Sequence, residues 1–284
     1  MARPLDRHPR TAPGPWFVDT RCINCAASRH VAPGLLVETD DSCVFARQPN
    51  TPNEVQAAWR AVEICPTRSI GAPAGMRPAP DVYPWQVEPG VYLCGHNARS
   101  SFGAHAWFVP RQSGKLLVDS PRYTSRLVDA FDAAGGIAAI LLSHRDDVAD
   151  AEQWANKYGA AVYIHADDAD AARFATHIID GDEPADLLDG VTMIPVPGHT
   201  RGSVVYLADQ RWLFTGDSLA WDADLNQLIA FREACWYSWA EQKRSLNRLA
   251  KHRFTQVFAG HGSWSPPLKP DQTKIELEAL VTRM

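Results

Sequence analysis

The chain has 284 residues, enough for one large domain or two smaller ones, each with a proper core. Hydrophobic residues make up 45% and charged residues 21%, which excludes disordered and fibrous classes. The 28 basic and 33 acidic side chains give a net charge of −5, with no long run of Lys or Arg, which argues against nucleic acid as a partner. The longest apolar run, residues 137–142, is far too short to span a bilayer. The N-terminal MARPLDRHPRTAPGPWF lacks the apolar stretch of a secretory signal. No membrane association and a cytoplasmic location are therefore expected.

In chain order, residues 16–18 form a predicted short strand, and 35–37 and 43–45 the arms of a hairpin around Asp40-Asp41. A helix is predicted over 54–64, with Val55, Ala58, Trp59 and Val62 at helical spacing and Thr51-Pro52-Asn53 as its start signal. Of six cysteines, too few for a disulfide scaffold, Cys22, Cys25, Cys43 and Cys65 fall within this first stretch. That placement suggests a local metal or cluster site, and a unit this small needs such a staple. The proline-rich segment 71–84 reads as a linker or ordered loop, dividing the chain into domains of residues 1–78 and 79–284.

Beyond it, strands are predicted over 90–94, 106–109, 115–119, 137–143, 161–165, 191–196, 203–208, 211–215 and 256–259. Helices are predicted over 125–134, 148–158, 168–177, 239–252 and 272–284. This order suggests an α/β architecture of two sheets with helices packed outside them. Several strands end on a metal-ligating side chain. LLSHRDDVAD places His144, Asp146, Asp147 and Asp150 after one strand, and PVPGHTRGS places His199 after another. Asp217 follows WLFTG, and His261 follows VFAG. Strands of a sheet deliver their ends to one rim, so these residues can converge on a divalent metal although far apart in sequence. Asp146, Asp147, Asp150 and Asp217 would repel one another if buried together without a cation. His96 and His105 bracket a loop expected to turn over this face, and His165 ends a strand on the same kind of rim. His8, His30, His177 and His252 read as surface or capping residues.

The segments Pro197-Gly198-His199-Thr200-Arg201-Gly202-Ser203, Phe214-Thr215-Gly216-Asp217 and Ala259-Gly260-His261-Gly262, with Leu117-Val118-Asp119 upstream, resemble the metallo-β-lactamase fold superfamily. The resemblance implies an αββα sandwich and a metal-dependent hydrolase in which metal-activated water attacks a polarised carbonyl or ester. Its first motif, His-x-His-x-Asp-His, is altered here to His144-Arg145-Asp146-Asp147-Val148-Ala149. Either the second metal site is lost, or Asp147 and Asp150 supply its oxygens. The implied assignment places His144, Asp146 and His199 at one metal and Asp217 as a bridge. His261 with Asp147 or Asp150 would then hold a second metal, with Asp146, Asp147 and Asp217 as the catalytic carboxylates. This carboxylate-rich set moves the preference from zinc toward iron or manganese.

Cys22-Ile23-Asn24-Cys25-Ala26-Ala27-Ser28, followed by Cys65-Pro66, resembles a single-cluster bacterial-type ferredoxin, implying a small α+β domain ahead of the sandwich. The third cysteine position holds Ser28, a poor iron–sulfur ligand. Cys22, Cys25 and Cys65 remain for a 3Fe-4S cluster or an open 4Fe-4S cluster, Cys43 is an alternative ligand, and a fold that has lost its cluster is the other reading. Proteins that fuse such a module to a metallo-β-lactamase-type domain resemble this chain along nearly all its length. A hydrolase of a small-molecule substrate leads. A di-iron oxidoreductase fed by the cluster domain, with an electron-transfer partner, and a non-catalytic binding protein stand beside it.

Overall fold

The structure, a computed structural model, describes residues 1–284. Its N-terminal part contains β1 (Phe17–Val18), α1 (Ala27–Val31), β2 (Leu36–Glu38), β3 (Cys43–Phe45), α2 (Pro52–Ile64) and β4 (Ile70–Gly71). β1 pairs with β4 and β2 with β3, both antiparallel. α2 starts where the sequence signals it: the Thr51 side chain accepts the Glu54 N–H, and Pro52 occupies the first turn. α1 lacks any capping side chain and has only five residues, which explains why periodicity did not reveal it.

A seven-stranded sheet follows, made of β5 (Trp85–Glu88), β6 (Val91–Leu93), β7 (Trp107–Arg111), β8 (Gly114–Val118), β9 (Ala139–Leu141), β10 (Ala161–His165) and β11 (His177–Ile179) in sequential order. It is antiparallel from β5 to β8 and parallel from β8 to β11, with α3 (Ser125–Ala133) and α4 (Ala151–Tyr158) in two of the crossovers. The second sheet contains β12 (Ala185–Leu188), β13 (Val191–Pro195), β14 (Val204–Ala208) and β15 (Trp212–Gly216). A small hairpin of β16 (Ala220–Asp222) and β17 (Gln227–Ile229) leads to α5 (Trp239–Leu249). Then β18 (Gln256–Ala259) adds in parallel beside β15, and α6 (Pro270–Arg283) closes the chain.

The period-2 alternation of the strands builds the layers. In β8, Leu116 and Val118 point between the sheets, toward Trp107, Tyr206, Phe214 and Phe258, while Leu117 points out to Leu127 and Phe131 of α3 and Trp154 of α4. In the second sheet, Leu207, Leu213 and Val257 face outward onto Leu246 and Leu249 of α5 and Leu277 of α6. The result is the expected αββα sandwich. No helix is long and apolar enough to cross a membrane.

Three expectations need correction. Residues 168–177 do not form a helix. A short 3-10 segment, Ala166–Ala171, ends at a non-helical Ala172, and His177 begins β11 against β10. The alanines favour helix, but Asp168 is held by the Arg145 and Gly202 backbone N–H groups and the Thr200 hydroxyl, and tertiary bonding overrides propensity. The helix expected from 148 starts only at Ala151, because Ala149 has φ of 39°, a left-handed value that no helix continues. His8 and His30 are also not surface residues. His8 is buried, and the His30 ring packs edge-on against His105.

The two parts of the chain share one interior. The core between the sheets is continuous with Trp16, Val18, Phe45 and Ile64 of the N-terminal part, through Val82 and Tyr83 of the proline-rich segment. The Asn97 N–H donates to the Ile64 carbonyl at 3.2 Å, Tyr83 Oη to the Arg60 carbonyl at 3.3 Å, and the Arg60 guanidinium stacks 3.9 Å over the Trp85 ring.

Candidate metal centre

Four strands end at one place. His144 follows β9, His199 follows β13, Asp217 follows β15 and His261 follows β18. Gly216 and Gly260 make the convergence sterically feasible: Gly216 has φ of 48°, and the Gly260 N–H donates to its carbonyl at 2.8 Å. A Cβ on Gly260 would lie 2.7 Å from Asp217 Oδ1 and 3.0 Å from Asp147 Oδ2, so only glycine lets both carboxylates approach.

Asp217 Oδ2 lies at the centre, 3.7 Å from His144 Nε2, 3.6 Å from His199 Nε2 and 3.7 Å from His261 Nε2. Asp146 Oδ2 lies 3.4 Å from His199 Nε2 and 4.0 Å from His144 Nε2. Two groups, His144 with His199 and Asp217, and Asp147 with Asp217 and His261, each bring three ligand atoms within 4.8 Å of one another. Ligands about 2.0–2.2 Å from a shared ion stand roughly 3.3–3.6 Å apart, which is this spacing.

The donors also lack any other partner. His144 Nε2, His199 Nε2, both carboxylate oxygens of Asp147 and Asp217 Oδ1 are buried without a hydrogen bond. Leaving so many buried polar atoms unmatched is costly unless a cation matches them. Burial and the nearby Asp217 push Asp147 well above the usual carboxylate range, while burial pulls His144 down. Burial opposes a charge on His199, but the neighbouring carboxylates of Asp146 and Asp217 outweigh it and raise that group. The residues present therefore fit one or two divalent ions.

The orientation of His144 is set from behind. Ser143 donates its backbone N–H to Asp119 Oδ1 at 2.8 Å and its hydroxyl to Asp119 Oδ2 at 3.0 Å. The same hydroxyl then accepts from His144 Nδ1 at 2.9 Å, which leaves the Nε2 lone pair facing Asp217. Asp119 is buried, and burial pushes its carboxyl up to about 7. On the other side, the His199 carbonyl accepts the N–H groups of Trp236 and Tyr237 at 2.9 and 3.0 Å.

Not every expected ligand arrives. Asp150 belongs to neither group, and its Oδ2 accepts the Tyr123 N–H at 2.7 Å, fixing the approach to α3. His165 bonds to the Gly181 carbonyl and the Asp167 N–H rather than to the centre. The 95–105 loop does turn over the face: the His105 N–H donates to the Gly260 carbonyl at 2.7 Å, and the Phe102 ring lies 6.1 Å from that of His261. Phe102 and Trp236 were missed as site residues. Both are exposed, at 55% and 70%, and Trp236 lies 6.5 Å from the His199 ring. Exposure of a large aromatic side chain leaves no sequence signal.

Residues 18–72 match the family described as the 4Fe-4S single cluster domain of Ferredoxin I. Over 122 residues, 40% of this chain and 49% of the relative, the sequence is 35% identical to a hydroxyacylglutathione hydrolase of Acidiphilium cryptum. Over 151 residues, 49% of this chain and 54% of the relative, it is 28% identical to the uncharacterized protein YmaE of Bacillus subtilis. The chain thus spans about half the length of the curated relatives it matches. The DIM-1 metallo-β-lactamase superposes with a TM-score of 0.52 over 70% of this chain and 95% of its own, at 19% identity. The BLEG-1 B3 metallo-β-lactamase gives 0.50 over 62% and 93%, at 17% identity. The sandwich, with its ligand-bearing strand ends, is a metallo-β-lactamase fold. It is preceded by a segment, residues 18–72, that is similar to a single-cluster ferredoxin domain.

Proposed function

We propose that the protein is a metal-dependent hydrolase acting on a small-molecule ester, thioester or related bond. The observation that carries this reading is the meeting of three imidazoles around Asp217 Oδ2, with the buried ligand atoms beside it left unpartnered. In this reading His144, His199 and Asp217, with Asp146 at the rim, hold one ion, and Asp147, Asp217 and His261 hold a second. Imidazole and carboxylate donors suit zinc, iron or manganese. When bound, such an ion lowers the pKa of water to around 7 and polarises the bond under attack.

The protein's own groups divide the remaining work. The Asp146 side chain is 44% exposed, so it is the carboxylate open to take a proton from an attacking water, whereas Asp147 is sealed from solvent. Asp119 and Ser143 keep His144 in the tautomer that binds metal. Phe102 and Trp236 give the mouth an apolar rim suited to an acyl group. The hydroxyacylglutathione hydrolases among the relatives make a thioester of that kind the first substrate to try. In the same reading the N-terminal domain carries a 4Fe-4S or 3Fe-4S cluster and exchanges electrons with a partner. All six cysteines are free thiols, which suits the reducing cytoplasm.

The test is elemental analysis of anaerobically purified protein beside turnover of a hydroxyacylglutathione thioester, an aryl ester and an aryl phosphodiester. Metal bound at the centre, with hydrolysis of at least one substrate, is the expected result. Iron together with oxygen or nitric oxide turnover, and no hydrolysis, would favour the di-iron oxidoreductase. Neither metal nor turnover would leave a binding protein.

A further inference from the structure

A ferredoxin-like domain needs thiolates at its cluster, and the third position of the Cys-x2-Cys-x2-Cys pattern here is Ser28. Ser28 lines the cysteine pocket, where its buried hydroxyl donates to the Ala61 carbonyl of α2 at 3.3 Å and offers no sulfur. A different sulfur fills the gap. Cys43, the first residue of β3, is buried and lines the same pocket as Cys22, Cys25 and Cys65. Its Sγ lies 3.7 Å from that of Cys22. The remaining two thiols are far from it in role: Cys94 is packed under the outer helices of the first sheet, and Cys235 bonds to the Gly198 carbonyl beside the metal centre. Four of six cysteines thus face one small pocket, although Cys43 is 18 residues from Cys25 and 22 from Cys65.

The pocket is also equipped as a cluster site. Cys22 Sγ accepts the Asn24 N–H at 3.4 Å and Cys65 Sγ the Ser69 N–H at 3.3 Å, the kind of bond that stabilises charged thiolates. Asn24 and Ala26 take left-handed φ values of 52° and 66°, so the loop curls around the sulfurs. Ile23 and Ile70 supply an apolar wall, and Pro66 follows the last cysteine.

We propose that Cys43 supplies the fourth thiolate of a 4Fe-4S cluster held by Cys22, Cys25 and Cys65, making up for the sulfur that Ser28 lacks. The proposal rests on the reading that the N-terminal domain carries a cluster, and is independent of hydrolysis at the metal centre. Thiolate is soft and matches iron–sulfur chemistry, whereas a serine oxygen is hard and holds its proton. Seating a cluster parts Cys22 and Cys43, whose contact is that of two reduced thiols.

The full-length protein and its Cys43→Ala, Cys43→Ser and Ser28→Ala variants are reconstituted anaerobically with iron and sulfide. Iron, acid-labile sulfide and low-temperature paramagnetic resonance are then measured. Wild type is expected to hold about four cluster irons, silent when oxidised and paramagnetic when reduced, with Ser28→Ala the same. Cys43→Ala is expected to fall to about three irons and to show a 3Fe-4S signal when oxidised. Should Cys43→Ala fail to fold, the near-isosteric Cys43→Ser decides by the same change of signal. An unaltered four-iron cluster in the Cys43 variants, with wild type loaded, would overturn the ligand assignment alone. No iron in wild type, or a Cys22–Cys43 disulfide that forms in place of a cluster, would overturn the cluster reading along with it.

Discussion

Asp217 is the residue common to both groups of prospective ligands, so its removal should empty both. Asp217→Ala is expected to lose bound metal and to cut turnover by at least about 100-fold, checked by elemental analysis and rate measurement on the same preparation. Ser143→Ala acts at one remove. Without the hydroxyl between Asp119 and His144, the imidazole can turn, and metal affinity should weaken by about 10–100-fold in a chelator competition. An affinity unchanged by this variant would mean that packing alone orients His144. Asp150→Asn is the contrasting case, expected to keep its metal and to cost about 1 kcal/mol of stability through the weakened Tyr123 bond. Metal loss in that variant would return Asp150 to the ligand set. These three carry the lesson about what was legible. An imidazole or carboxylate placed directly after a strand could be assigned to the rim from sequence, because strand ends are the sheet's most regular feature. Asp147 and Asp150 could not be told apart, because their directions depend on a 3-10 turn over Arg145–Asp147 and the left-handed Ala149.

Among the elements, the central strands were the easiest to find. Leu116, Leu117 and Val118 belong to alternate cores, and that requirement on both faces yields an unbroken apolar run. The edge strands β11 and β12 are short and only partly buried, so nothing in their composition announces them. Residues 168–177 misled for the opposite reason: the local propensity is helical, and the bonds that defeat it come from Arg145, Thr200 and Gly202. Packing of the outer helices should be worth far more than their caps. Phe131→Ala removes a fully buried ring from between β7 and α4 and is expected to cost about 3–5 kcal/mol, against about 1 kcal/mol for the cap variant Thr124→Ala. Denaturant titration of both variants checks the order.

For the whole molecule, the sequence suggested a small unit joined by a proline-rich segment to a larger one, and the segment proves to be structural. Val82 and Tyr83 are buried in an interior that runs from Trp16 to Phe258. Such continuity predicts one cooperative unfolding transition in calorimetry, whereas two resolved transitions would show that the parts melt separately. Composition shifts and prolines mark where a chain changes character, but they carry no information about which side chains dock afterwards.

Gly103 joins the two chemistries in a way no motif expresses. A methyl group there would press within 2.8 Å of Cys25 Sγ, and the adjoining Phe102 leans on the His261 ring. One backbone position is therefore a party wall between the cysteine-lined pocket and the candidate metal centre. Bulk added at Gly103 would press on Cys25 and, through the adjoining Phe102, on the rim of the metal centre at once.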